Sequence, residues 1–242
     1  MTRAIILAAG RGSRMGCLTH AHPKGLIKVK GAPLIQYPIT ALRGAGITDI
    51  GIVSGYKAEK LKSFGTRHFF NPHWSETNMV YSLTMAKEWL EQETCIVSYS
   101  DILYSTDAVK RLLAAPGDIV ITYDPHWRKL WEKRFEDPLS DAETFQLDED
   151  SYLKEIGLQP KTITEIQGQY MGLLKITPFG WQIIIDYLNS LSYEEIGNLS
   201  MTRLLGKLID KKIYATPIKD EWYEIDSETD LVVYQFHSTI LR

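Results

Sequence analysis

The residues that follow Arg3 form an unbroken apolar run, Ala4 to Ala8, which constrains the fold more than any other feature of the sequence. Such a run predicts a strand buried on both faces, as in a parallel sheet with helices on each side. Strand-like and helix-like segments then alternate: strands at 50–54, 68–70, 95–99 and 118–123, and helices at 33–42, 57–64, 78–90 and 106–114. This alternation predicts an α/β, Rossmann-like fold with a mixed, mostly parallel central sheet.

The second half of the chain is less regular. Strand-like segments at 144–147, 153–156 and 169–176 predict a smaller mixed sheet in a separate substrate-covering lobe, and the aromatic, charged stretch 127–140 predicts an irregular segment. No long linker separates the halves. We therefore predict one domain over residues 1–242, with a soft division near residue 124.

Composition excludes several classes of protein. A net charge of −3 argues against broad electrostatic attraction to nucleic acid or anionic lipid. The two cysteines, Cys17 and Cys95, lie far apart without a CxxC pattern, which argues against a disulfide framework or a zinc site. The N-terminal apolar run is too short to span a membrane and lacks signal-peptide anatomy, so we predict a cytoplasmic protein without membrane or nucleic-acid partners.

The first strand leads into the segment Leu7-Ala8-Ala9-Gly10-Arg11-Gly12-Ser13-Arg14-Met15, followed by Pro23-Lys24. Small residues and two glycines allow backbone N–H groups to approach a polyphosphate, and Arg11, Arg14 and Lys24 would neutralise its oxygens. A P-loop pattern is absent, and Met15 occupies the last glycine position of the dinucleotide fingerprint. The alternative is a surface turn with solvated arginines.

This loop resembles the signature of the sugar-phosphate nucleotidyltransferase superfamily. Residues 31–35 also match that superfamily, and three further segments, at 78–83, 168–172 and 222–226, resemble its phosphocholine cytidylyltransferase branch. The resemblance implies a Mg²⁺-dependent cytidylyltransferase that joins CTP to a small phosphorylated metabolite and releases pyrophosphate. Residues 1–123 would bind the nucleotide, residues 124–242 would bind the acceptor and complete the metal site, and Arg14 and Lys24 would be catalytic.

The acceptor stays open among a phosphocholine-like compound, a phosphonate and a phosphorylated amino acid or amide. A second enzyme hypothesis is a sugar-1-phosphate nucleotidyltransferase that uses UTP or dTTP. A hypothesis of another class is a non-catalytic nucleotide-binding regulator. Whether the protein forms a homodimer also stays open.

The resemblance extends the nucleotide site beyond the glycine loop to the ends of the second strand and the start of the long helix. The nucleotide-binding candidates are Leu7, Ala8, Ala9, Gly10, Arg11, Gly12, Ser13, Gly55, Tyr56, Thr77, Asn78 and Ser82. Asn78 or Ser82 would read the edge of a pyrimidine by hydrogen bonding. The alternative is that Thr77 or Asn78 only caps the helix.

Three carboxylates form the candidate metal site. Asp101 follows a buried strand, at the sheet edge where parallel sheets bind ligands. Glu224 and Asp226 bracket Ile225, so their side chains share one face of a strand. Carboxylate oxygens suit Mg²⁺. The alternatives are a turn aspartate and a solvated strand face.

The acceptor-binding candidates combine aromatic and charged side chains: Trp127, Trp131, Arg134, Asp141, Lys161, Tyr170 and Trp222. Aromatic faces hold a quaternary ammonium, whereas Asp141 and the neighbouring Glu143 would suit an aminoalkyl group or an amino acid. Lys161, or Lys154, would approach the acceptor phosphate. The alternative for the tryptophans is that they are core or interface residues.

Overall fold

The computed structural model describes residues 1–237. The strands are β1 Arg3–Ala8, β2 Lys28–Val29, β3 Ala32–Pro33, β4 Ile50–Ser54, β5 Arg67–Phe70, β6 Cys95–Tyr99, β7 Ile102–Leu103, β8 Ile119–Asp124, β9 Phe145–Leu147, β10 Leu153–Ile156, β11 Gln169–Ile176, β12 Tyr214–Pro217 and β13 Tyr223–Glu224. The helices are α1 Gln36–Gly44, α2 Met79–Thr84, α3 Lys87–Leu90, α4 Thr106–Ala114, α5 Arg128–Arg134, α6 Pro178–Leu188, α7 Tyr193–Gly197, α8 Met201–Lys207 and α9 Glu228–His237.

The central sheet has seven strands in the order β12-β8-β11-β6-β1-β4-β5. All pairs are parallel except those of β11, which runs antiparallel to both β6 and β8. The predicted mixed, mostly parallel sheet is therefore confirmed. Because β1 lies inside the sheet, the loop that follows it opens beside the ends of β4 and β6.

Two apolar layers cover the two faces of this sheet. Successive residues of β1 alternate between them: Ile6 packs in one layer and Ile5 and Leu7 in the other. Residues 4–8 of β1 therefore each meet an apolar layer, which explains why the run is apolar without alternation.

The prediction that residues 144–147, 153–156 and 169–176 form one smaller sheet is wrong, because the third of these strands belongs to the central sheet. Strands β9 and β10 pair only as a two-stranded antiparallel ribbon, but β11 lies within the central sheet. Every residue of β11 except Tyr170 is buried, as a strand enclosed between two others requires. The central sheet thus contains strands from both sides of residue 124, and the single domain with a soft division there stays a prediction.

Two local predictions also need correction. The stretch predicted to be irregular contains helix α5, whose Leu130 and Trp131 are buried while Arg128 pairs with Glu132 one turn later at 2.6 Å. The long helix predicted at 78–90 is interrupted, because α2 ends at Thr84 and α3 begins at Lys87. The Thr84 hydroxyl donates to the carbonyl of Tyr81 at 2.7 Å, a local bond of the kind that competes with the helical pattern.

Over the described residues, no helix combines the length and the apolar character that a membrane span requires.

Candidate active site

The loop after β1 approaches Lys24 closely because it contains a glycine in the left-handed region. Gly12 has φ of 76°, and a Cβ on it would lie 2.7 Å from the Cβ of Lys24. A side chain at this position would therefore be strained by the backbone angle and would collide with Lys24. The loop then turns through a 3₁₀ segment, Ser13–Thr19, which carries Arg14.

Lys24 lies at the centre of the cleft. Its side chain is 8% exposed, and its Nζ atom lies 2.6 Å from Oδ2 of Asp101 and 2.5 Å from Oδ1 of Asp226. Burial alone lowers the pKa of Lys24, but the two carboxylates outweigh this effect and raise the pKa above its ordinary value. Lys24 is therefore a fixed cation.

The two aspartates come from segments that are far apart in sequence. Asp101 follows β6, and Asp226 follows β13, which pairs with β7. The N–H of Ile225 donates to the carbonyl of Asp101 at 2.9 Å, which joins the two segments directly. Asp226 also forms an ion pair with Arg14. Arg14, Lys24, Asp101 and Asp226 are thus brought together in one cleft.

A recess of about 250 Å³, recess A, lies between the glycine loop and helix α2. The site residues predicted from the sequence that line this recess are Leu7, Ala8, Ala9, Gly10, Gly12, Arg14, Lys24, Thr77, Asn78, Ser82, Asp101 and Asp226. Trp74, Met79, Tyr99 and Ser100 complete the lining.

A second recess of about 250 Å³, recess B, adjoins the first and shares Arg14, Met79, Tyr99 and Asp226 with it. Its other lining residues are Trp131, Asp141, Glu143, Gln169, Tyr170, Met171, Gly172, Ser200, Met201, Thr202, Trp222 and Glu224. Two adjoining recesses that share a cationic and a carboxylate side chain can hold two anionic molecules end to end, with their reacting groups at the shared wall.

The family model described as "MobA-like NTP transferase domain" matches residues 4–156 of the chain. The chain belongs to this family of nucleotidyltransferases. It is 38% identical over 251 aligned positions to a CTP:phosphoglutamine cytidylyltransferase from Campylobacter jejuni, covering 95% of this chain and 98% of that protein. A choline-phosphate cytidylyltransferase from Streptococcus pneumoniae is 42% identical over 92 positions, 36% of this chain and 40% of that one.

Solved structures share the fold of this nucleotidyltransferase. An inositol-1-phosphate CTP transferase from T. maritima superposes with a TM-score of 0.76 at 23% identity, over 99% of this chain and 96% of that one. A CTP:phosphocholine cytidylyltransferase from Streptococcus pneumoniae gives a TM-score of 0.68 at 24% identity, over 97% of each chain. The resemblance to the cytidylyltransferase branch and the Rossmann-like fold of the nucleotidyltransferase are thereby confirmed.

A buried side-chain amide holds two hydroxyl groups that line recess A, one before helix α2 and one within it. Asn71 is fully buried, and its Nδ2 donates to the hydroxyls of Thr77 and Ser82 at 3.0 Å each. The Oδ1 of Asn78 accepts from the N–H of Met79 at 2.8 Å, so Asn78 caps the helix and lines recess A at the same time. The two alternatives stated for Asn78 are therefore compatible.

Four predicted nucleotide-binding residues are not part of the lining of recess A: Arg11, Ser13, Gly55 and Tyr56. The N–H of Tyr56 donates to the carbonyl of Ala9 at 2.9 Å, and the Tyr56 hydroxyl donates to the carbonyl of His20 at 2.9 Å. Tyr56 therefore braces the glycine loop from outside. A Cβ on Gly55 would collide with the side chain of Trp74, so this glycine makes room for a tryptophan that does line the recess.

Recess B is acidic. Burial raises the pKa of the Glu143 carboxyl and also the pKa of the Asp141 carboxyl. Asp141 lies exposed at the rim, and the charge of Arg134 partly offsets the rise in its pKa. Desolvation raises the pKa of Glu224 to about 7 although 30% of its side chain is exposed, and Arg134 opposes this shift. The nearby indole N–H of Trp131 lowers the pKa of Asp141 and so opposes the effect of burial. A cationic ligand in recess B would stabilise the charged form of these carboxyls.

Three of the predicted acceptor-binding residues do not reach recess B. Trp127 is 3% exposed and packs against Trp131 with ring centroids 5.9 Å apart, as the core alternative describes. The guanidinium of Arg134 turns towards Glu224 and Asp230. Lys161 is exposed on the surface, outside the lining of the recess, as is the second candidate, Lys154.

The predicted set of three metal ligands is not assembled. Among residues 1–237, no group of three or more His, Cys, Asp and Glu side chains is arranged to hold a metal ion. The physical reason is that Glu224 pairs with Arg134, with Oε2 and Nη1 3.3 Å apart. Asp101 and Asp226 both face one point, the Lys24 ammonium, and remain candidates to share a cation.

A larger cavity of about 710 Å³ lies elsewhere and shares no lining residue with recess A or B. The two smaller recesses are the candidate active site because Lys24 and its two carboxylates line them. Sequence reasoning missed Tyr99, whose ring lies between the recesses; burial raises its pKa well above the ordinary value. The signal for it was available, since Tyr99 directly precedes Ser100 and Asp101 at the end of a buried strand.

Proposed function

We propose that this nucleotidyltransferase moves the cytidylyl group of CTP to the phosphoryl oxygen of a small acceptor that carries a cationic nitrogen, such as phosphoglutamine. The observation that carries the proposal is recess B, which joins the cationic cleft and presents Asp141 and Glu143. The relatives act, by their names, on phosphoglutamine, choline phosphate and 2-aminoethylphosphonate. Each of these compounds combines a phosphoryl group with a cationic nitrogen.

The lining of recess B favours an amino acid over choline. Glu143 is half-buried, and its Oε1 accepts from the Thr202 hydroxyl at 3.3 Å. A primary ammonium can donate to such a carboxylate, whereas a trimethylated nitrogen cannot donate at all. Trp131 and Trp222, with ring centroids 6.1 Å apart, would pack against the aliphatic part of the acceptor.

The transfer itself requires positioning and charge neutralisation. An acceptor phosphoryl oxygen attacks the α-phosphorus of CTP; the new P–O bond forms as the bond to the β-phosphate oxygen breaks, and pyrophosphate leaves with that electron pair. In recess A, backbone N–H groups of the glycine loop and the Arg14 guanidinium hold the triphosphate. Lys24 keeps its ammonium among the charged oxygens without reorganisation, because two carboxylates fix it.

The carboxylates suit Mg²⁺ as well as Lys24. Oxygens of Asp101 and Asp226 lie within 2.6 Å of one nitrogen atom, so the pair is arranged around a single cation. Mg²⁺ prefers one or two carboxylates together with substrate phosphates, which matches this pair beside recess A. Asp101 and Asp226 would hold the ion, which would neutralise charge on the phosphate oxygens.

The proposal is tested by a pyrophosphate-release screen that crosses CTP, UTP, dTTP and GTP with phosphoglutamine, phosphocholine, 2-aminoethylphosphonate, inositol 1-phosphate and glucose 1-phosphate. We expect CTP with phosphoglutamine to exceed UTP or dTTP with glucose 1-phosphate by at least about 100-fold in kcat/KM, because buried polar groups reject ligands that leave them unpaired. A preference for UTP or dTTP with glucose 1-phosphate would refute the proposal and support the sugar-phosphate alternative.

Glu143→Gln tests where the cationic nitrogen binds. The substitution keeps the oxygen that accepts from Thr202 but removes the charge, so we expect kcat/KM for phosphoglutamine to fall about 10- to 100-fold, mainly through KM. Activity with inositol 1-phosphate, which has no cationic nitrogen, should change less than about threefold. Glu149→Gln, on an exposed turn, is the matched control. Equal losses with both acceptors would contradict this assignment.

A further inference from the structure

Arg134 is a buried cation that lines neither recess. Its side chain is 3% exposed and engages two carboxylates: Nε lies 2.7 Å from Oδ1 of Asp230, and Nη1 lies 3.3 Å from Oε2 of Glu224. Its Nη2 adds a second contact with Asp230, at 3.3 Å. Burial alone would lower the pKa of Arg134, but the neighbouring acids more than offset this, so it stays charged.

Asp230, the main partner of Arg134, holds the backbone of an active-site residue. It is 4% exposed, and its Oδ2 accepts from the N–H of Asp226 at 3.0 Å and from the N–H of Ser227 at 2.8 Å. Both N–H groups lie directly before the first residue of α9, at the helix N-terminus, where a carboxylate is favourable. The same carboxylate therefore contacts Arg134 on one side and the Asp226 amide on the other.

Asp226 is thus held on both sides along the chain. On its N-terminal side, the N–H of Ile225 donates to the Asp101 carbonyl at 2.9 Å. On its C-terminal side, the N–H of Ser227 donates to the same Asp230 oxygen that accepts from the Asp226 N–H. Glu224 and Asp230 both bind Arg134, whereas the Asp226 carboxylate between them pairs with Lys24.

We infer that Arg134 is a positioning residue, which fixes the Asp230 carboxylate and through it the backbone of Asp226. It would not touch the substrates; it would keep the Asp226 carboxylate aimed at Lys24 and at the phosphates. Displacement of such a group by about 1 Å costs on the order of 100-fold in rate. The inference rests on nucleotidyl transfer in this cleft and is independent of which acceptor recess B takes.

Arg134→Met removes the charge and keeps most of the side-chain volume. We expect kcat to fall about 10- to 100-fold with a smaller change in KM for CTP, and the melting temperature to fall because Asp230 loses its buried partner. Arg134→Lys keeps the charge but cannot form the two-pronged contact, so its kcat should be intermediate. Arg128→Met is the matched control: Arg128 lies on the same helix, is exposed and pairs with Glu132.

The double variant Arg134→Met/Asp230→Asn separates positioning from stability. A neutral asparagine at position 230 no longer needs a cation, so the melting temperature should return towards the wild-type value, while kcat stays low because nothing fixes residue 230. Recovery of both quantities would show that Arg134 contributes stability alone and would overturn the inference. If Arg134→Met does not fold, wild-type kcat in Arg134→Lys and in Asp230→Asn would overturn it equally.

These variants stay informative if the proposed acceptor is incorrect. Calorimetric titration of CTP with Mn²⁺ into each protein needs no acceptor, and we expect Arg134→Met to bind the nucleotide–metal complex at least about threefold more weakly than Arg128→Met. Unaltered binding together with unaltered kcat, measured with any acceptor that the screen identifies, would count against the positioning role. A screen without any active acceptor would instead count against the proposed function.

Discussion

Replacing Lys24 by methionine is expected to lower kcat about 10³-fold, the loss typical of removing a preorganised group that stabilises charge in the transition state. Lys24 is the buried cation between Asp101 and Asp226, and the glycine loop packs directly on its stem. Methionine keeps that stem. The rate loss should therefore come from the missing ammonium and not from collapse of the loop.

The same substitution removes the ammonium that two partly buried carboxylates share, and only Asp226 keeps the Arg14 ion pair shown in the described structure. The melting temperature should therefore also fall, and the fall should be smaller when CTP and Mg²⁺ are present, because the metal replaces the lost charge. Kinetics at saturating substrate and thermal melting with and without ligands check both effects. Lys28→Met, at an exposed position on β2, is the control. A kcat within about threefold of wild type would remove Lys24 from the mechanism.

The sequence predicted the parts of the fold that local chemistry specifies. The apolar run of β1, the glycines after it and the aspartate after β6 are each interpretable from neighbouring residues, and each lies where it was expected. The position of β11 could not be read in this way, because its pairing with β6 and β8 joins residues 45 or more positions away. β11 is buried along nearly its whole length, whereas the residues of a strand on an exposed lobe would alternate between buried and exposed.

The acceptor side was harder to predict than the nucleotide side for a similar reason. Helix α5 and its N-cap, Trp127, carry aromatic and cationic side chains, and the rotation of this segment decides which of them face recess B. In the structure Trp131 faces the recess, Trp127 faces the core and Arg134 faces Glu224 and Asp230. This rotation depends on packing against α9, which is almost 100 residues further along the chain.

Replacing Asp226 by asparagine is expected to lower kcat about 10³-fold, and to raise the Mg²⁺ concentration required for half-maximal rate at least about 10-fold. Asparagine has the same shape and can still accept a hydrogen bond from Lys24, so the charge is the only large change. Asp101→Asn should behave similarly. Asp210→Asn, at an exposed position, should leave both quantities unaltered. Chelation by EDTA should abolish wild-type activity, and added Mg²⁺ should restore it.

The double variant Asp101→Asn/Asp226→Asn decides whether the two carboxylates act together. If they hold one ion, losing either carboxylate already loses most of that ion's contribution, so the double variant should be only slightly slower than each single variant. If they act independently, with Asp226 serving only to orient Arg14 and Lys24, the two losses should multiply. An unaltered Mg²⁺ requirement in both single variants would support independent action, because carboxylates that only orient cations have no reason to change the affinity for a metal.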